Sequence, residues 1–280
     1  MPTMKDIAVL FDESHYGLDV LDAAARLAGS QGSHLIGVTA LNQDPVSIHD
    51  GFAKGGALPE IVALRQSAMA SKVLNCGQNL AKAVQKYGAD GELRVISYVE
   101  SSSESSLHAL YCDLLVLASP DIPGTPQTWA VHSMLRHSGI PILIVPRAWQ
   151  GRKIGRRIIV AWNGSRQSRR AIADSMPLLT GAEEVKLLIV DPDKTSDLLG
   201  DEPGADMAAF LARHDVSVEL VRLSAQGARV ADVILEYATA SDADLVVFGA
   251  YSRARLTESL IGGVTKTLLA GVSIPLFVSQ

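Results

Sequence analysis

The chain carries the same pattern twice, and this constrains its fold more than any other feature. Ile7-Ala8-Val9-Leu10-Phe11-Asp12-Glu13-Ser14 returns as Ile158-Ile159-Val160-Ala161-Trp162-Asn163-Gly164-Ser165, displaced by 151 residues. The same displacement brings Leu21 onto Ile172 and Leu27 onto Leu178. Further on, Asp113-Leu114-Leu115-Val116-Leu117 returns as Asp244-Leu245-Val246-Val247-Phe248, and Ile140-Pro141-Ile142-Leu143 as Ile274-Pro275-Leu276-Phe277. The matches keep their order, which points to two copies of one domain rather than two unrelated ones. A chain of 280 residues suits two units of about 140 residues, each long enough to bury a core.

Within each copy, strands and helices are predicted to alternate. In the second copy residues 157–162 form a short, nearly all-apolar run, as a strand buried on both faces requires. Further strands are expected at 185–190, 216–223, 245–248 and 275–278. Ser165 is placed to cap a helix with Ala171, Ile172, Ser175, Leu178 and Leu179 on one face. Helices are also expected near 206–214 and over 230–238, and Leu268 and Leu269 fall in the last one. In the first copy, strands are expected at 7–11, 35–39, 93–98, 114–117 and 142–145, with a long helix over 58–87. The alternation predicts an α/β fold of two tandem doubly wound parallel sheets, each five-stranded with helices on both faces. The polar, basic stretch 150–156 reads as a linker loosened by Gly151 and Gly155. It separates an expected first domain over 1–149 from a second over 157–280.

Composition and missing motifs exclude several classes. The net charge is −5, and neither copy is basic enough for general binding to nucleic acid phosphates. Cys76 and Cys112 lack C-x-x-C spacing, which argues against a disulfide framework and excludes a zinc site built on cysteines. No apolar stretch approaches the ~18–20 residues of a membrane span. The N-terminus MPTMKDIAVLFD lacks the apolar region and cleavage site of a signal peptide. A cytoplasmic protein that engages neither membrane nor nucleic acid is expected. There is no P-loop, no G-x-S-x-G elbow and no H-E-x-x-H, and nothing pairs a nucleophile with a base. Binding is therefore expected, not catalysis.

In an open parallel sheet, ligands bind outside the carboxyl ends of the strands, where strand order switches. That rule singles out Asp12 and Asn163 after the first strands, Val190 after a second strand, and Gly249 against Ala118 after the fourth strands. From Gly249 the chain runs through Ser252 and Arg253 to Gly262-Gly263-Val264-Thr265-Lys266. Glycines let backbone approach a ligand closely. Paired glycines opening a helix would present unpaired N–H groups, which makes a phosphate cradle of backbone amides. Arg253 and Arg255 follow Ser252, where charge-assisted hydrogen bonds could cover a triphosphate.

These residues resemble the ATP-binding members of the universal stress protein (UspA-like) family. Those members carry G-x2-G-x9-G-[ST] after strand four and an Asp-Gly-Ser-like turn after strand one. Here Gly249 matches the first glycine, Ser252 stands at the second, Gly262 at the third and Gly263 at the hydroxyl position. Asn163-Gly164-Ser165 matches the turn, and the resemblance spans both copies. It implies an adenine nucleotide alpha hydrolase-like fold with strand order 3-2-1-4-5. It implies ATP or a related adenine nucleotide, with Mg2+ arriving only with the nucleotide. The implied contacts in the second copy are Ala161, Asn163, Val190, Gly249, Ser252, Arg253, Gly262, Gly263, Val264 and Thr265. The resemblance also implies copies associated as an internal pseudo-dimer, with homodimer formation open, and an unidentified protein partner in a stress response.

The departures from that pattern matter. Ser252 offers its N–H and hydroxyl if its φ is negative. Gly263 keeps the amide and loses a hydroxyl, for which Thr265 is the candidate replacement. Asn163 can donate as well as accept, whereas an ionised Asp only accepts, so base or sugar preference is expected to differ. In the first copy the span from Asp113 to Pro141 is three residues shorter than that from Asp244 to Pro275. Pro120, Pro123 and Pro126 there lack N–H groups, so a structural role is expected for that half. Two other functions stay open: an interaction protein with a vestigial pocket, and a slow ATP-hydrolysing or adenylyl-transferring enzyme.

Three further features are expected to be structural. Arg152, Lys153, Arg156, Arg157, Arg166, Arg169 and Arg170 fall within 151–173 without an intervening acid. They read as a solvated linker and helix face, except Arg166, which is placed to face phosphates. His15 reads as an exposed helix start next to the cap Ser14, and His49-Asp50 as part of a glycine-containing loop.

Overall fold

The computed structural model describes residues 3–41, 57–97, 111–123, 125–195, 202–250, 267–268 and 273–280. In the first half β1 (Asp6–Leu10), α1 (His15–Gln31), β2 (His34–Leu41), α2 (Ala57–Tyr87), β3 (Asp90–Ser97), β4 (Leu114–Ser119), α3 (Val131–His137) and β5 (Ile142–Pro146) follow in order. The second half holds β6 (Arg157–Ala161), α4 (Arg166–Leu179), β7 (Glu184–Val190), α5 (Ala205–Arg213), β8 (Val218–Leu223), α6 (Val230–Ala240), β9 (Leu245–Gly249) and β10 (Leu276–Ser279).

The helix starts are set locally. Ser14 caps α1 by accepting from Gly17 N, and Ser165 caps α4 by accepting from Ser168 N. Helix α1 ends on Gly32 in the left-handed region (φ 65), whose N–H returns to Ala28 O. Its stripe of Val20, Leu21, Ala24, Ala25 and Ala28 is buried. The strands carry the continuous apolar runs of buried parallel sheets: every residue of β4 except Ser119 is buried, as is every residue of β5.

Strand order is β3-β2-β1-β4-β5-β10-β9-β6-β7-β8. Each half thus has the order 3-2-1-4-5, with parallel pairing throughout. One feature differs from the expectation of separate sheets: β5 and β10 pair antiparallel, Leu143 opposite Phe277, and join the halves into one ten-stranded sheet. The fifth strand would otherwise be an open edge in each half, with a row of unpaired backbone groups. Leu143, Ile144, Leu276 and Phe277 are all fully buried there. The outer strands show the opposite behaviour. β3 starts at Asp90, three residues earlier than the apolar pattern suggests. With β2 as its one strand neighbour among the described residues, it tolerates a polar start and carries an Arg94–Glu92 ion pair.

The repeated aspartate that precedes β4 and β9 has a defined task. Asp113 Oδ2 accepts from Lys5 N (2.6 Å) and Asp6 N (3.1 Å), at the entry to β1. Asp244 Oδ1 accepts from Gly155 N (2.9 Å), Arg156 N (2.9 Å) and Arg157 N (3.1 Å), at the entry to β6. Burial pushes the Asp244 carboxyl up, and the three amides pull it back. Asp244→Ala would strand those amides beside a buried cavity. It is expected to destabilise the protein by about 2–4 kcal/mol in urea denaturation, against about 1–2 kcal/mol for Asp244→Asn, which keeps one acceptor oxygen.

Candidate functional site

The carboxyl ends of β9, β6 and β7 lie side by side and bring Gly249, Ala161, Asn163 and Val190 to one end of the second half. The turn leaving β6 is tightly organised. Asn163 Oδ1 accepts from Ser165 N at 3.1 Å, Gly164 takes φ 71, and Ser165 Oγ accepts from Ser168 N at 3.1 Å. Ser168 Oγ donates back to Ser165 O at 2.9 Å. The first half repeats the device: Asp12 Oδ1 accepts from Ser14 N at 3.1 Å, and Ser14 Oγ accepts from Gly17 N at 3.1 Å. The side chain after the first strand therefore builds its own helix entrance in both halves.

Gly249 has a packing reason to be glycine. A Cβ there would lie 2.2 Å from Gln167 C and 2.3 Å from Ser168 N, so the first turn of α4 passes directly over the end of β9. Its first-half counterpart is Ala118. In that half the tight contact falls on Gly17, the counterpart of Ser168, where a Cβ would lie 2.1 Å from Asp12 Oδ1. Sequence reasoning missed Asp191. It follows β7 with φ 54, its N–H donates to Leu223 O (2.8 Å), and its Oδ1 accepts from Ala225 N (2.7 Å), tying the end of β7 to the loop after β8. Aspartate tolerates this backbone region better than most residues, which was the one available signal.

Ser252, Arg253, Arg255, Gly262, Gly263, Val264 and Thr265 lie outside the described residues, as do His49 and Asp50. Of the basic residues on α4, Arg166 is exposed on the first turn. Arg169 stacks over the Phe210 ring at 4.6 Å, and Arg170 pairs with Asp174 at 2.8 Å. His15 is exposed and within 3.1 Å of Asp19, a helix-surface pair.

The equivalent end of the first half is filled. Ile122, Pro123 and Thr125 lie against Leu10, Phe11, Asp12 and Ala40, leaving a cavity of about 20 Å3, roughly the size of one water. Lys72 Nζ closes the side by donating to Ala40 O at 3.0 Å. Beneath lies Trp129, fully buried, and Asp121 Oδ1 accepts from Val131 N at 3.3 Å to hold the segment down. No group of three or more His, Cys, Asp or Glu among the described residues could hold a metal ion. No helix among them is long and apolar enough to cross a membrane.

Two doubly wound α/β halves joined edge to edge in one ten-stranded sheet, with one carboxyl-end crevice filled by its own chain, define the architecture. Residues 155–280, most of the second half, match the model of the universal stress protein family. The fold of the chain is similar to that of a universal stress protein from Archaeoglobus fulgidus, with TM-score 0.70, 17% identity and 98% of each chain covered. It is also similar to a functionally unknown protein from Pseudomonas aeruginosa PAO1, with TM-score 0.60, 19% identity, 99% of this chain and 92% of that one covered. No curated protein sequence matches.

Proposed function

We propose that the chain is a nucleotide-binding stress-response module that takes ATP or AMP in its second half. In this reading 1–149 is a domain with a degenerate pocket, 150–156 the linker and 157–280 the binding domain, in a cytoplasmic protein that acts through a protein partner. Asn163, Ala161 and Val190 would meet the nucleoside, while Gly249 sets the start of a segment in which Ser252, Arg253, Gly262, Gly263, Val264 and Thr265 would meet the phosphates. Mg2+ would enter only with the nucleotide. The observation that carries the reading is the asymmetry of the two halves. The first-half crevice is filled by Ile122 and Pro123, whereas only the second copy carries the glycine-rich sequence after its fourth strand. Binding, not turnover, is the proposed role, because no nucleophile–base pair accompanies the motif.

Calorimetric titration with ATP and AMP tests this. The wild-type chain is expected to bind one nucleotide. Gly262→Val is expected to abolish binding, and Asn163→Ala to weaken it about tenfold or more, by removing a ligand contact and loosening the turn at Ser165. Equal affinity in all three proteins would contradict the assignment. The substitutions at Ser252 and Gly263 favour a second reading, an interaction protein whose pocket is vestigial. It predicts no titratable nucleotide site in any of them.

A further inference from the structure

The basic stretch of the linker does more than span two domains. Arg152, Lys153 and Arg156 line a groove of about 300 Å3 between the C-terminal end of α1 and that of α4. The groove lies at the amino ends of the strands, just before β6, and so opposite the proposed nucleotide end. Its walls combine an apolar floor, including Leu27, Ile154 and Leu178, with a cationic rim to which the first half adds Arg26. A volume of this size with an apolar floor and converging polar groups suits a small-molecule site.

The charges in this groove are unequally balanced. Arg26 donates to Asp22 (3.2 Å) and to the Tyr87 hydroxyl (3.0 Å). Arg156 makes a two-pronged pair with Glu183 at 2.7 and 2.6 Å. Neither Arg152 nor Lys153 forms an ion pair among the described residues. Arg152 is held instead by stacking on Trp149, 3.8 Å from the ring centroid. Glu183 acts on Lys153 as well as on Arg156, yet the groove lining itself carries Arg26, Arg152, Lys153 and Arg156 and no acid, so cations dominate its rim. A dianion answers that imbalance, and an apolar body answers the floor. An extended polyanion such as nucleic acid would need a longer basic track than this groove offers.

We propose that the groove binds a phosphate-bearing small molecule, its phosphate between Arg152, Lys153 and Arg156 and its apolar part over Leu27, Ile154 and Leu178. Bound there, it would touch α1, the linker and α4 together and so bridge the two halves. The proposal does not depend on nucleotide binding in the second half.

The test uses the full chain with phenyl phosphate and inorganic phosphate as probes, in the presence of saturating ATP. Calorimetry is expected to give one phenyl phosphate site, at least about tenfold tighter than inorganic phosphate because the ring covers apolar surface. Occupancy is expected to change tryptophan emission, and the change to vanish in Trp149→Phe. The double variant Arg152→Ala/Lys153→Ala should bind phenyl phosphate about tenfold or more weakly. Arg152→Lys/Lys153→Arg should stay within about threefold of wild type, since both charges remain. Circular dichroism checks that each variant is folded. Undiminished affinity in the double alanine variant, or no binding of phenyl phosphate to the wild type, would overturn the proposal.

Discussion

Gly249→Ala is expected to destabilise the protein by about 2–4 kcal/mol and to weaken ATP binding more than tenfold. The added methyl would stand 2.2 Å from Gln167 C and 2.3 Å from Ser168 N. Both are backbone atoms in the first turn of α4, so no side chain can swing away to make room. The turn must lift, and with it go the Ser165 cap and the Asn163 side chain, which is bonded to Ser165 N. Stability and affinity are thus coupled through one contact. The reciprocal change Ala118→Gly in the first half is expected to destabilise by only about 1 kcal/mol, the backbone entropy of an added glycine. Urea denaturation of both variants, with ATP titration of the first, checks the pair. A Gly249→Ala protein as stable as wild type would mean that the α4–β9 contact is looser than described.

Trp129→Ala is expected to have the largest effect of any single change in the first half, about 3–5 kcal/mol. Trp129 is fully exposure-free (0%) and lies under the segment that fills the first crevice, beside Leu10, Leu117, Ala118 and Ile122. Its indole Nε1 is buried and makes no hydrogen bond among the described residues. Trp129→Phe removes that unpaired donor and keeps most of the ring, so it is expected to stay within about 1.5 kcal/mol of wild type. Opening the crevice with Trp129→Ala should still not create a nucleotide site, because Pro120, Pro123 and Pro126 supply no N–H groups to phosphates. Thermal denaturation measures the first effect. Calorimetry on a Gly262→Val background, which silences the second half, measures the other.

Much of this fold was legible because buried parallel strands read as continuous apolar runs. Ile7 to Leu10 and Leu245 to Phe248 have no polar residue to blur their boundaries. Ser14 and Ser165 announced their helices because capping is a local interaction that depends on the next three residues. Contacts between elements distant in sequence left no such trace. That β5 pairs with β10 depends on two edges meeting across more than a hundred residues, and nothing in Ile142–Pro146 distinguishes an edge that stays open from one that finds a partner. The early start of β3 was hidden because an outer strand accepts Asp90 and Glu92, which look like turn residues. Asn163 and Gly249 were singled out from their positions after strands. The reason Gly249 must lack a side chain became visible only once α4 was seen crossing it. Asp113 and Asp244 were recognised as repeats, but their task required knowing that the entries to β1 and β6 lie beside them.

Analysing what the purified protein releases on denaturation tests the central claim most directly. The full chain would be purified without added nucleotide, denatured, and the released material analysed by liquid chromatography and mass spectrometry. The account predicts ATP, ADP or AMP at close to one per chain, lost in Gly262→Val. A protein that releases no nucleotide and also gives no calorimetric signal with added ATP or AMP would contradict it, and would leave the second-half crevice as a vestige in an interaction protein.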